Sequence, residues 1–316
     1  MIDNEKLNRM VWAEKYRPQN LDDAILPEST KRTVKDALTN GNIPHFLFTG
    51  SAGTGKTTLA KIIAKELDAD LMFVNASIHG IDVIRQQVVQ FASTVSFTGG
   101  IKIVLFDEFD GMSPQGQQGL RGVIEEFPNA RFIFTCNFKN KVIDAIHSRC
   151  FVIDFASTKE ETPKLQNAFF KRMVSILKTE NVEADKAVVA EVVKKFYPDF
   201  RGTLNALQSY AAGGSIDSGI LVNQQDVVMG QLITSLKDGN FVDARKWIAT
   251  NPDLDVDYVL QYIYNKAFTL FKVDFIPELI LILSKYQYQS QYVADVQIQL
   301  AACMVEIIIS GNGKWK

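Results

Sequence analysis

Short, unbroken apolar runs alternate with amphipathic stretches over residues 43–155 of the chain. Each run is only a few residues long and is bounded by polar or glycine-rich segments, which is typical of buried strands. Alternation of such strands with helices favours a parallel sheet that is covered by helices on both faces. Five strands are predicted, at Phe46–Phe48, Leu71–Val74, Ile103–Phe106, Arg131–Thr135 and Val152–Phe155.

Beyond Thr158 the apolar positions recur at helical spacing, and no strand is predicted up to residue 212. Helices are predicted here at Lys159–Thr179, Asp185–Phe196 and Gly202–Ala212. A polar, glycine-rich break over residues 213–219 then indicates a linker or loop.

From Asn223 to the end the pattern is again helical and rather apolar, for example in Val259–Phe271 and Phe275–Leu283. About four helices would fit this region. The pattern therefore predicts an α/β domain, a small helical domain and an all-α domain. We place them at residues 1–156, 157–222 and 223–316.

Composition and charge bear on whether the chain could bind nucleic acid, a membrane or a metal. Of the 316 residues, 47% are hydrophobic and 22% charged, a profile typical of a globular protein. The formal net charge of -2 gives no bulk attraction to nucleic acid, so a nucleic-acid site would need local patches or several subunits that present one face. No run has transmembrane length, and Met1–Lys6 carries no apolar signal segment. The three cysteines lack metal-ligand spacing, so we expect a reduced, cytoplasmic setting without a membrane partner.

The run from Gly50 to Thr57 matches the phosphate-binding loop G-x-x-x-x-G-K-[ST] at every fixed position. A predicted strand precedes it and an amphipathic helix follows, which is the context that this loop requires. Its glycines let backbone N–H groups surround phosphate oxygens, and the helix N-terminus favours negative charge. In this pattern Lys56 reaches the β- and γ-phosphates and Thr57 places its hydroxyl on Mg²⁺. The alternative is an ordinary glycine-rich turn between a strand and a helix.

Two further strands end in residues that suit the same site. Asp107 and Glu108 follow an apolar strand, and ligands bind at the carboxyl edge of open α/β sheets. Asp107 suits an acid that holds Mg²⁺, directly or through water, and Glu108 a group that polarises the attacking water. Alone, the pair would be a solvated acidic turn. Asn137 ends the next strand and would lie beside the γ-phosphate if that strand neighbours the loop strand; otherwise it begins a turn.

Six ordered motifs between residue 12 and about residue 210 resemble those of the AAA+ ATPases, and more closely those of the clamp loaders and replication factor C small subunits. They are the E-K-Y-R-P box in Trp12–Pro18, Asn75–Ser77 with Gly80–Arg85, Asp107–Asp110, Gln117–Glu125, Ser148–Cys150 and Asp199–Asn205. Compact length and sparse basic charge favour the branch from T-even-type bacteriophages, and the lack of a zinc module argues against the bacterial branch. The C-terminal third carries no family motif, but its helical pattern suits the family's oligomerising collar.

This resemblance implies an α/β AAA+ domain with a parallel sheet and phosphate loop, a small helical lid domain and an all-α collar domain. It also implies an ATPase that uses ATP and Mg²⁺, with the metal held by Thr57 and Asp107. Tyr16, Arg17 and Ile25 would line the adenine side. The full set of residues implied to bind the nucleotide is Ala13, Glu14, Lys15, Tyr16, Arg17, Ile25, Gly53, Thr54, Gly55, Lys56, Thr57, Thr58, Asn137 and Arg201.

Two arginines receive roles from the resemblance. Arg149 would point into the ATP site of the next subunit as an arginine finger, so that only an oligomer is active; the alternative is a surface arginine at a helix C-terminus. Arg201 would contact the γ-phosphate of its own chain and close the lid on the sheet; the alternative is a charged helix start. The implied catalytic residues are Lys56, Glu108, Asn137, Arg149 and Arg201.

The resemblance also implies contacts with DNA and with a clamp. Arg85 and Ser113, at the starts of two helices, are candidates for contact with DNA phosphates, although a solvated helix position explains Arg85 about as well. Gln117 and Arg121 would couple DNA contact to the ATP site, or would simply bond within their helix. Two helical regions are candidates for the clamp contact, Ile81–Phe97 and Ser113–Glu126.

The expected partners are a sliding clamp, a distinct second loader subunit, further copies of the chain in an open five-membered spiral, and primer–template DNA. ATP-bound subunits would open the clamp, and hydrolysis triggered by DNA would release it closed. A DNA motor of the branch-migration or helicase type would use the same ATP residues. A scaffold subunit without hydrolysis is disfavoured because the ATPase residues are all present, namely Lys56, Thr57, Asp107, Glu108 and Arg149.

Overall fold

The parallel sheet is present, and each end of its five strands lies within one residue of the predicted position. In the computed structural model the strands are β1 (Phe46–Thr49), β2 (Asp70–Asn75), β3 (Lys102–Asp107), β4 (Ala130–Cys136) and β5 (Phe151–Asp154). All neighbouring pairs are parallel, in the order β2-β3-β4-β1-β5. The strand β4 therefore separates the strand of the phosphate loop from the strand that carries the two acids.

The structure describes residues 11–41, 43–77, 81–95, 100–212, 215–216, 220, 224–251, 255–290 and 292–316, and only the backbone of 81–84 and 224–227. Two compact units divide the chain, residues 1–221 and 222–316. The first unit contains the helices α1 (Trp12–Lys15), α2 (Glu28–Asn40), α3 (Lys56–Glu66), α4 (Ile81–Ser93), α5 (Pro114–Glu126), α6 (Asp144–His147), α7 (Thr162–Thr179), α8 (Lys186–Phe196) and α9 (Phe200–Ala211).

Helices cover both faces of the sheet, as the continuous apolar strands predict. On one face, α2 and α3 bury a cluster that includes Val34, Phe48 and Ile63. On the other face, α4, α5 and α6 cover a cluster rich in phenylalanine. There the rings of Phe106 and Phe134 stack with centroids 5.3 Å apart. Successive residues of a strand point to opposite faces, so each central strand contributes to both clusters.

The helices α7, α8 and α9 share a third cluster, which also buries Trp12 from the N-terminal segment. The expectation that no strand occurs in this region was wrong. Glu183–Ala184 forms a short strand, β6, parallel to β7 at Ser215–Ile216. Two residues per strand are too few to produce an alternating pattern, so the sequence could not indicate this pair.

The second unit contains five helices among its described residues, one more than expected. They are α10 (Gln224–Lys237), α11 (Phe241–Thr250), α12 (Val256–Leu270), α13 (Ile276–Ser290) and α14 (Val296–Ser310). The helix α14 packs against α10, α11 and α13, and its residues Cys303 and Met304 are fully buried. Several large apolar side chains of this unit are nevertheless exposed, among them Phe268, Leu281, Ile298 and Ile309.

No helix in the described parts of the chain is both long enough and apolar enough to span a bilayer. The cysteines Cys136, Cys150 and Cys303 are free thiols. Burial raises the pKa of the Cys150 thiol to about 12, so this cysteine of the S-R-C motif stays protonated at neutral pH.

His45 provides a test of the sheet's stability. The Phe132 N–H of β4 donates to His45 Nδ1 at 3.1 Å, and burial lowers the pKa of His45 from 6.5 to about 4, with the charge of Arg131 acting in the same direction. Below pH 6.5 the unfolded chain binds a proton that the folded chain excludes, so stability is lost as the pH falls towards 4. This group should contribute at most about 3 kcal/mol to that loss.

The free energy of unfolding, measured with denaturant at pH 7 and pH 4.5, should fall more steeply for the wild type than for His45→Gln. Glutamine keeps an oxygen acceptor for the Phe132 N–H but does not titrate. Equal losses for both proteins would show that His45 is not neutral in the fold.

Candidate active site

A deep cleft opens at the carboxyl edge of the sheet and encloses about 1110 Å³, counted out to its open mouth. Its walls come from the N-terminal segment, the phosphate loop, the ends of β3 and β4, and the helices α7 and α9. Among the described residues, four cationic side chains line it, Arg17, Lys56, Arg172 and Arg201, whereas the only acids, Asp107 and Glu108, lie together at the carboxyl end of β3. This distribution suits a polyanionic ligand with a cation at one end.

The phosphate loop holds its lysine ready for an anion. Lys56 is 7% exposed, and its Nζ donates to the Gly50 carbonyl at 2.8 Å, the Ser51 carbonyl at 2.7 Å and Asn137 Oδ1 at 2.9 Å. Burial lowers the pKa of Lys56, and the charge of Arg201 lowers it further, against the opposing charge of Asp107. A phosphate group in the loop would replace neutral acceptors by a charged one, which is a stronger bond.

Thr57 and Asp107 form the part of the cleft that fits a divalent cation. Thr57 Oγ1 donates to Asp107 Oδ1 at 2.6 Å, so the two oxygens already lie at the spacing of neighbouring ligands. Mg²⁺ prefers oxygen ligands and keeps several waters and phosphate oxygens, so two protein oxygens suffice. In the described residues no group of three or more His, Cys, Asp or Glu could hold a metal.

Glu108 lies at the mouth of the cleft in an unusual backbone conformation. Its φ of 55° and ψ of 43° are left-handed, which is unfavourable for a residue with a Cβ. Its N–H donates to Thr135 Oγ1 at 3.1 Å, and its Oε2 accepts from Ser77 Oγ at 3.2 Å. The bend carries the chain from β3 into a short 3₁₀ turn and leaves the carboxylate exposed to solvent.

Asn137 meets the condition that the sequence left open, because β4 pairs directly with β1. Its side chain contacts the lysine of the phosphate loop, and its N–H and that of Phe138 both donate to Asp110 Oδ2, at 3.1 and 3.0 Å. The last acid of Asp107–Asp110 therefore fixes the turn that follows β4. Asn137 thus begins a turn, and its side chain accepts a hydrogen bond from Lys56.

The lid touches the phosphate loop directly. The Phe200 N–H, in the first turn of α9, donates to the Gly53 carbonyl at 3.1 Å, and Asp199 caps this helix by accepting from Gly202 N–H at 2.8 Å. Arg201 follows in the same turn, is exposed, and lines the cleft. The motif Asp199–Asn205 thus places one positive side chain over the site from the lid.

The N-terminal segment is attached to the lid. Trp12 is buried in the hydrophobic cluster of α7, α8 and α9, which we call the lid cluster. Its N–H donates to Gln208 Oε1 at 2.8 Å. Tyr16 donates to the Glu180 carboxylate at the end of α7, and Arg172 of α7 donates to the Tyr16 carbonyl at 3.0 Å. The wall on which an adenine would rest therefore belongs to the lid cluster.

All of the predicted nucleotide-binding residues line the cleft except Glu14 and Lys15. Lys15 forms an ion pair with Glu180 at 2.6 Å, and Glu14 accepts from Arg17 Nε at 3.0 Å. Burial alone would raise the pKa of Glu14, but Arg17 outweighs burial and holds that pKa below its usual value. Glu14 and Lys15 thus support the wall of the cleft and do not form its surface.

The sequence missed several lining residues of the lid and of β4. They are Phe169, Arg172, Met173, Phe200, Leu204, Thr135 and Cys136. The apolar ones are members of ordinary amphipathic helices, and no motif distinguishes the side that faces a ligand from the side that faces the core. Thr135 is a β-branched residue within a strand, where threonine is common.

Arg149 lies outside the cleft of its own chain. Its Nε donates to Glu125 Oε1 at 2.9 Å and its Nη1 to the Ala145 carbonyl at 2.7 Å, beside the end of α6. The charge pair with Arg149 lowers the pKa of Glu125. A role for Arg149 in ATP hydrolysis would therefore require the cleft of another chain.

The other predicted contacts lie on or near α4 and α5. Arg85 is exposed on α4, and Ser113 caps α5 by accepting from Gly116 N–H at 3.2 Å. Arg121 forms an ion pair within its helix, with its Nε 3.9 Å from Glu125 Oε1. Gln117 is fully buried and bonds outside its helix, with the Met112 and Lys141 carbonyls and the Ile143 N–H at 2.9–3.0 Å. Parts of two predicted regions, at Gly80 and Phe97, lie outside the described residues.

Two family models match the chain. Residues 46–158 match the ATPase family associated with various cellular activities, and residues 161–222 match the AAA+ ATPase lid domain of the sliding-clamp-loader large subunit. Among curated relatives, the sliding-clamp-loader large subunit of Escherichia phage RB69 is 39% identical over 78% of this chain and 79% of its own length. The same subunit of Enterobacteria phage T4 is 38% identical over 81% of each chain.

More distant relatives extend the similarity. A replication factor C small subunit of Saccharolobus solfataricus is 33% identical over 97% of each chain. Among solved structures, RuvB of Thermotoga maritima, described as a Holliday junction branch migration motor, superimposes with a TM-score of 0.51 at 17% identity, over 70% of this chain and 79% of that one. A likeness at this identity shows that the fold is shared and no more.

Gly53 provides a test of the contact between the loop and the lid. An added Cβ would lie 1.7 Å from Asp199 Oδ1, and the φ of +76° disfavours any side chain. Gly53→Ala should therefore displace the start of α9 and lower the affinity for ATP at least about tenfold, which corresponds to about 1.4 kcal/mol.

Calorimetric titration with an ATP analogue measures this affinity. The matched control is Gly230→Ala in α10, where an added Cβ meets nothing within 4 Å and nucleotide affinity should not change. Normal ATP affinity in Gly53→Ala would contradict a close packing of the lid on the loop.

Proposed function

This chain belongs to the clamp-loader family of AAA+ ATPases, and we propose that ATP binding by it opens a sliding clamp and prepares the assembly to bind primer–template DNA. DNA contact then triggers hydrolysis, and the clamp closes on DNA. The observation that carries the proposal is a cleft that brings the phosphate loop together with Asp107, Glu108, Asn137 and Arg201, while Arg149, the proposed finger, lies outside it. The chain is thus an ATPase subunit whose chemistry depends on its neighbours.

Lys56, Thr57 and Asp107 are proposed to hold ATP and its metal. Lys56 exchanges its bonds to loop carbonyls for bonds to phosphate oxygens, and Thr57 turns its oxygen from Asp107 towards the cation. Thr57 and Asp107 would hold Mg²⁺, which would supply positive charge to offset the charge that develops on the transferred group. The chain's own contribution is to hold these oxygens in place before the ligand arrives.

Glu108 is proposed to orient and polarise the attacking water, and Asn137 to help position it. Both side chains line the cleft, one at the end of the acid strand and one at the end of the strand beside the loop. Removing a general base of this kind costs about 10²–10⁴ in rate. The exposure of Glu108 supports a role that requires access to water.

Arg201 is proposed to bind the γ-phosphate and to link ATP binding to closure of the lid. In the closed state the lid would bring Arg201, Arg172 and the N-terminal segment into contact with the nucleotide. In an open state these contacts would be absent. A ligand shifts a conformational equilibrium only by such differences in contact between the two states. ATP, but not ADP, would then favour the conformation that grips the clamp.

Arg149 is proposed to enter the cleft of a neighbouring copy and to stabilise charge on the transferred phosphoryl group, which fingers of this type do by a factor of about 10³ or more. The Glu125 contact holds it on the surface of its own chain. The proposed assembly contains several copies of the chain and a distinct second subunit in a five-membered spiral. The sliding-clamp-loader name of the relatives supports a clamp as its substrate.

Arg85 and Ser113 are proposed to contact DNA phosphates, and α4 and α5 to include the surface that grips the clamp. The exposure of Arg85 and the cap position of Ser113, at a helix N-terminus, support phosphate contact. Since the chain has a formal net charge of -2, several copies would have to present these helices together.

We propose the domain boundaries at residues 1–156, 157–222 and 223–316. The matched family regions 46–158 and 161–222 and the compact units 1–221 and 222–316 support them, although residues 221–223 lie outside the described residues. The last domain is proposed as the collar that joins subunits. Its exposed apolar side chains, such as Leu281 and Ile298, support this role, because such surface is usually covered by a partner.

Steady-state ATP hydrolysis tests the proposal when this protein and its partner subunit are assayed with and without primed DNA and the cognate clamp. Turnover should be low alone and should rise at least about tenfold only when DNA and clamp are both present, because only then are the sites completed. Stimulation by DNA that ignores the clamp would instead support a DNA motor.

Glu108→Gln is the matched variant for this assay. It should retain binding of ATP and clamp but lose turnover by about 10² or more, because an amide cannot accept a proton from water. If turnover survived in Glu108→Gln, Glu108 would not be the carboxylate that activates water.

A further inference from the structure

We propose that Thr135 is a positioning residue for ATP hydrolysis, because its one hydroxyl orients both acids of the site. Thr135 Oγ1 donates to Asp107 Oδ1 at 2.6 Å and accepts from the Glu108 N–H at 3.1 Å. The side chain is 2% exposed, and no motif of the sequence indicates it. This inference rests on the proposed roles of Asp107 and Glu108.

The position of Thr135 follows from the order of the strands. It lies on β4 opposite Phe48 of β1, while the neighbouring residue Phe134 pairs with Phe106 of β3, directly before Asp107. The flanking residues Phe134 and Cys136 are buried in the phenylalanine-rich cluster, so Thr135 points to the other face. It therefore stands between the strand of the phosphate loop and the strand of the acids.

The Thr135 hydroxyl donates one hydrogen bond and accepts one. Its single proton is committed to the Asp107 carboxylate, so its lone pair is free to accept from the Glu108 amide. That amide belongs to a residue with left-handed backbone angles, which needs support from its surroundings. One side chain therefore fixes the direction of a carboxylate and the bend that aims the next carboxylate.

Thr135 and Thr57 contribute differently, although both donate to Asp107 Oδ1. Thr57 is proposed to turn its oxygen towards the metal, and it would then no longer hold Asp107. Thr135 also bonds the Glu108 amide and is held within the sheet, so it keeps the carboxylate aligned whether or not a nucleotide is bound. Its loss should weaken both metal affinity and turnover.

The variant Thr135→Val tests this assignment, because valine keeps the β-branched shape and loses only the hydroxyl. The turnover number should fall about 30-fold or more, while the KM for metal-bound ATP should rise by no more than about tenfold, the loss expected from weaker metal binding alone, since the phosphate loop is untouched. Thr135→Ser, which keeps the hydroxyl, should restore turnover to within about threefold of the wild type.

A second readout does not depend on turnover. Binding of Mn²⁺ to the full chain with a non-hydrolysable ATP analogue, followed by electron paramagnetic resonance, should weaken about tenfold in Thr135→Val and recover in Thr135→Ser. Binding of the analogue in the presence of EDTA should be the same in all variants. The matched control is Thr49→Val, a buried threonine at the end of β1 that pairs in register with Cys136, and it should behave as the wild type.

The assignment would be overturned if Thr135→Val matched Thr49→Val in metal affinity and turnover. It would also be overturned if Thr135→Ser were as impaired as Thr135→Val. A third contrary result would be that Thr135→Val loses affinity for the ATP analogue equally with metal and in EDTA. If valine at this position prevents folding, Thr135→Ala removes the same hydroxyl and is read in the same way. If the proposed clamp-loading function were wrong, the result would differ. DNA and clamp would then not stimulate ATP hydrolysis by the wild-type protein, and the Mn²⁺ binding results would be unaffected.

Discussion

The parallel pairing of β4 between β1 and β3 is the constraint on which the site depends. This pairing places the ends of three strands at one edge of the sheet. The loop lysine, the turn at Asn137 and the two acids therefore lie close together. The polar groups there bond one another: buried Lys56 donates to the loop and to Asn137, and partly buried Asp107 accepts from two threonine hydroxyls. Because unpaired polar groups in such a place are costly, the unliganded edge is already organised for a ligand.

The second requirement is that one wall of the cleft packs with the lid helices and the other with the sheet. Trp12 is buried with the lid helices, whereas Leu21 and Leu26, a few residues later, are buried with the sheet. The short segment between them therefore joins two hydrophobic clusters, and the adenine wall would follow the lid. The bond between Phe200 and Gly53 connects the same lid to the phosphate loop. The lid is thus linked to the phosphate loop by a hydrogen bond and to the sheet by a short segment, both of ordinary strength, which suits a reversible change of lid position.

The sequence predicted what is local and periodic. The strands were predicted to within one residue because continuous apolar runs report burial on both faces, and the loop Gly50–Thr57 because its glycines and lysine occupy fixed spacings. Contacts made across the fold were not accessible in this way. Nothing in the sequence shows that Lys15 turns to Glu180, that Arg172 holds the Tyr16 carbonyl, or that Thr135 bonds the Asp107 carboxylate and the Glu108 N–H, because each depends on a partner distant in the chain. The strand pair β6–β7 was too short to predict.

The most direct test of the central claim, that one chain holds an incomplete site, mixes two inactive variants. Lys56→Ala lacks the loop lysine and Arg149→Ala lacks the finger, and each should show almost no stimulated ATP hydrolysis in assemblies with the partner subunit. Assemblies formed from equal amounts of both should recover up to about a quarter of the wild-type activity, since an intact loop then meets an intact arginine of a neighbour by chance. Substantial turnover by Arg149→Ala alone, or a mixture as inactive as its components, would contradict a site shared between chains.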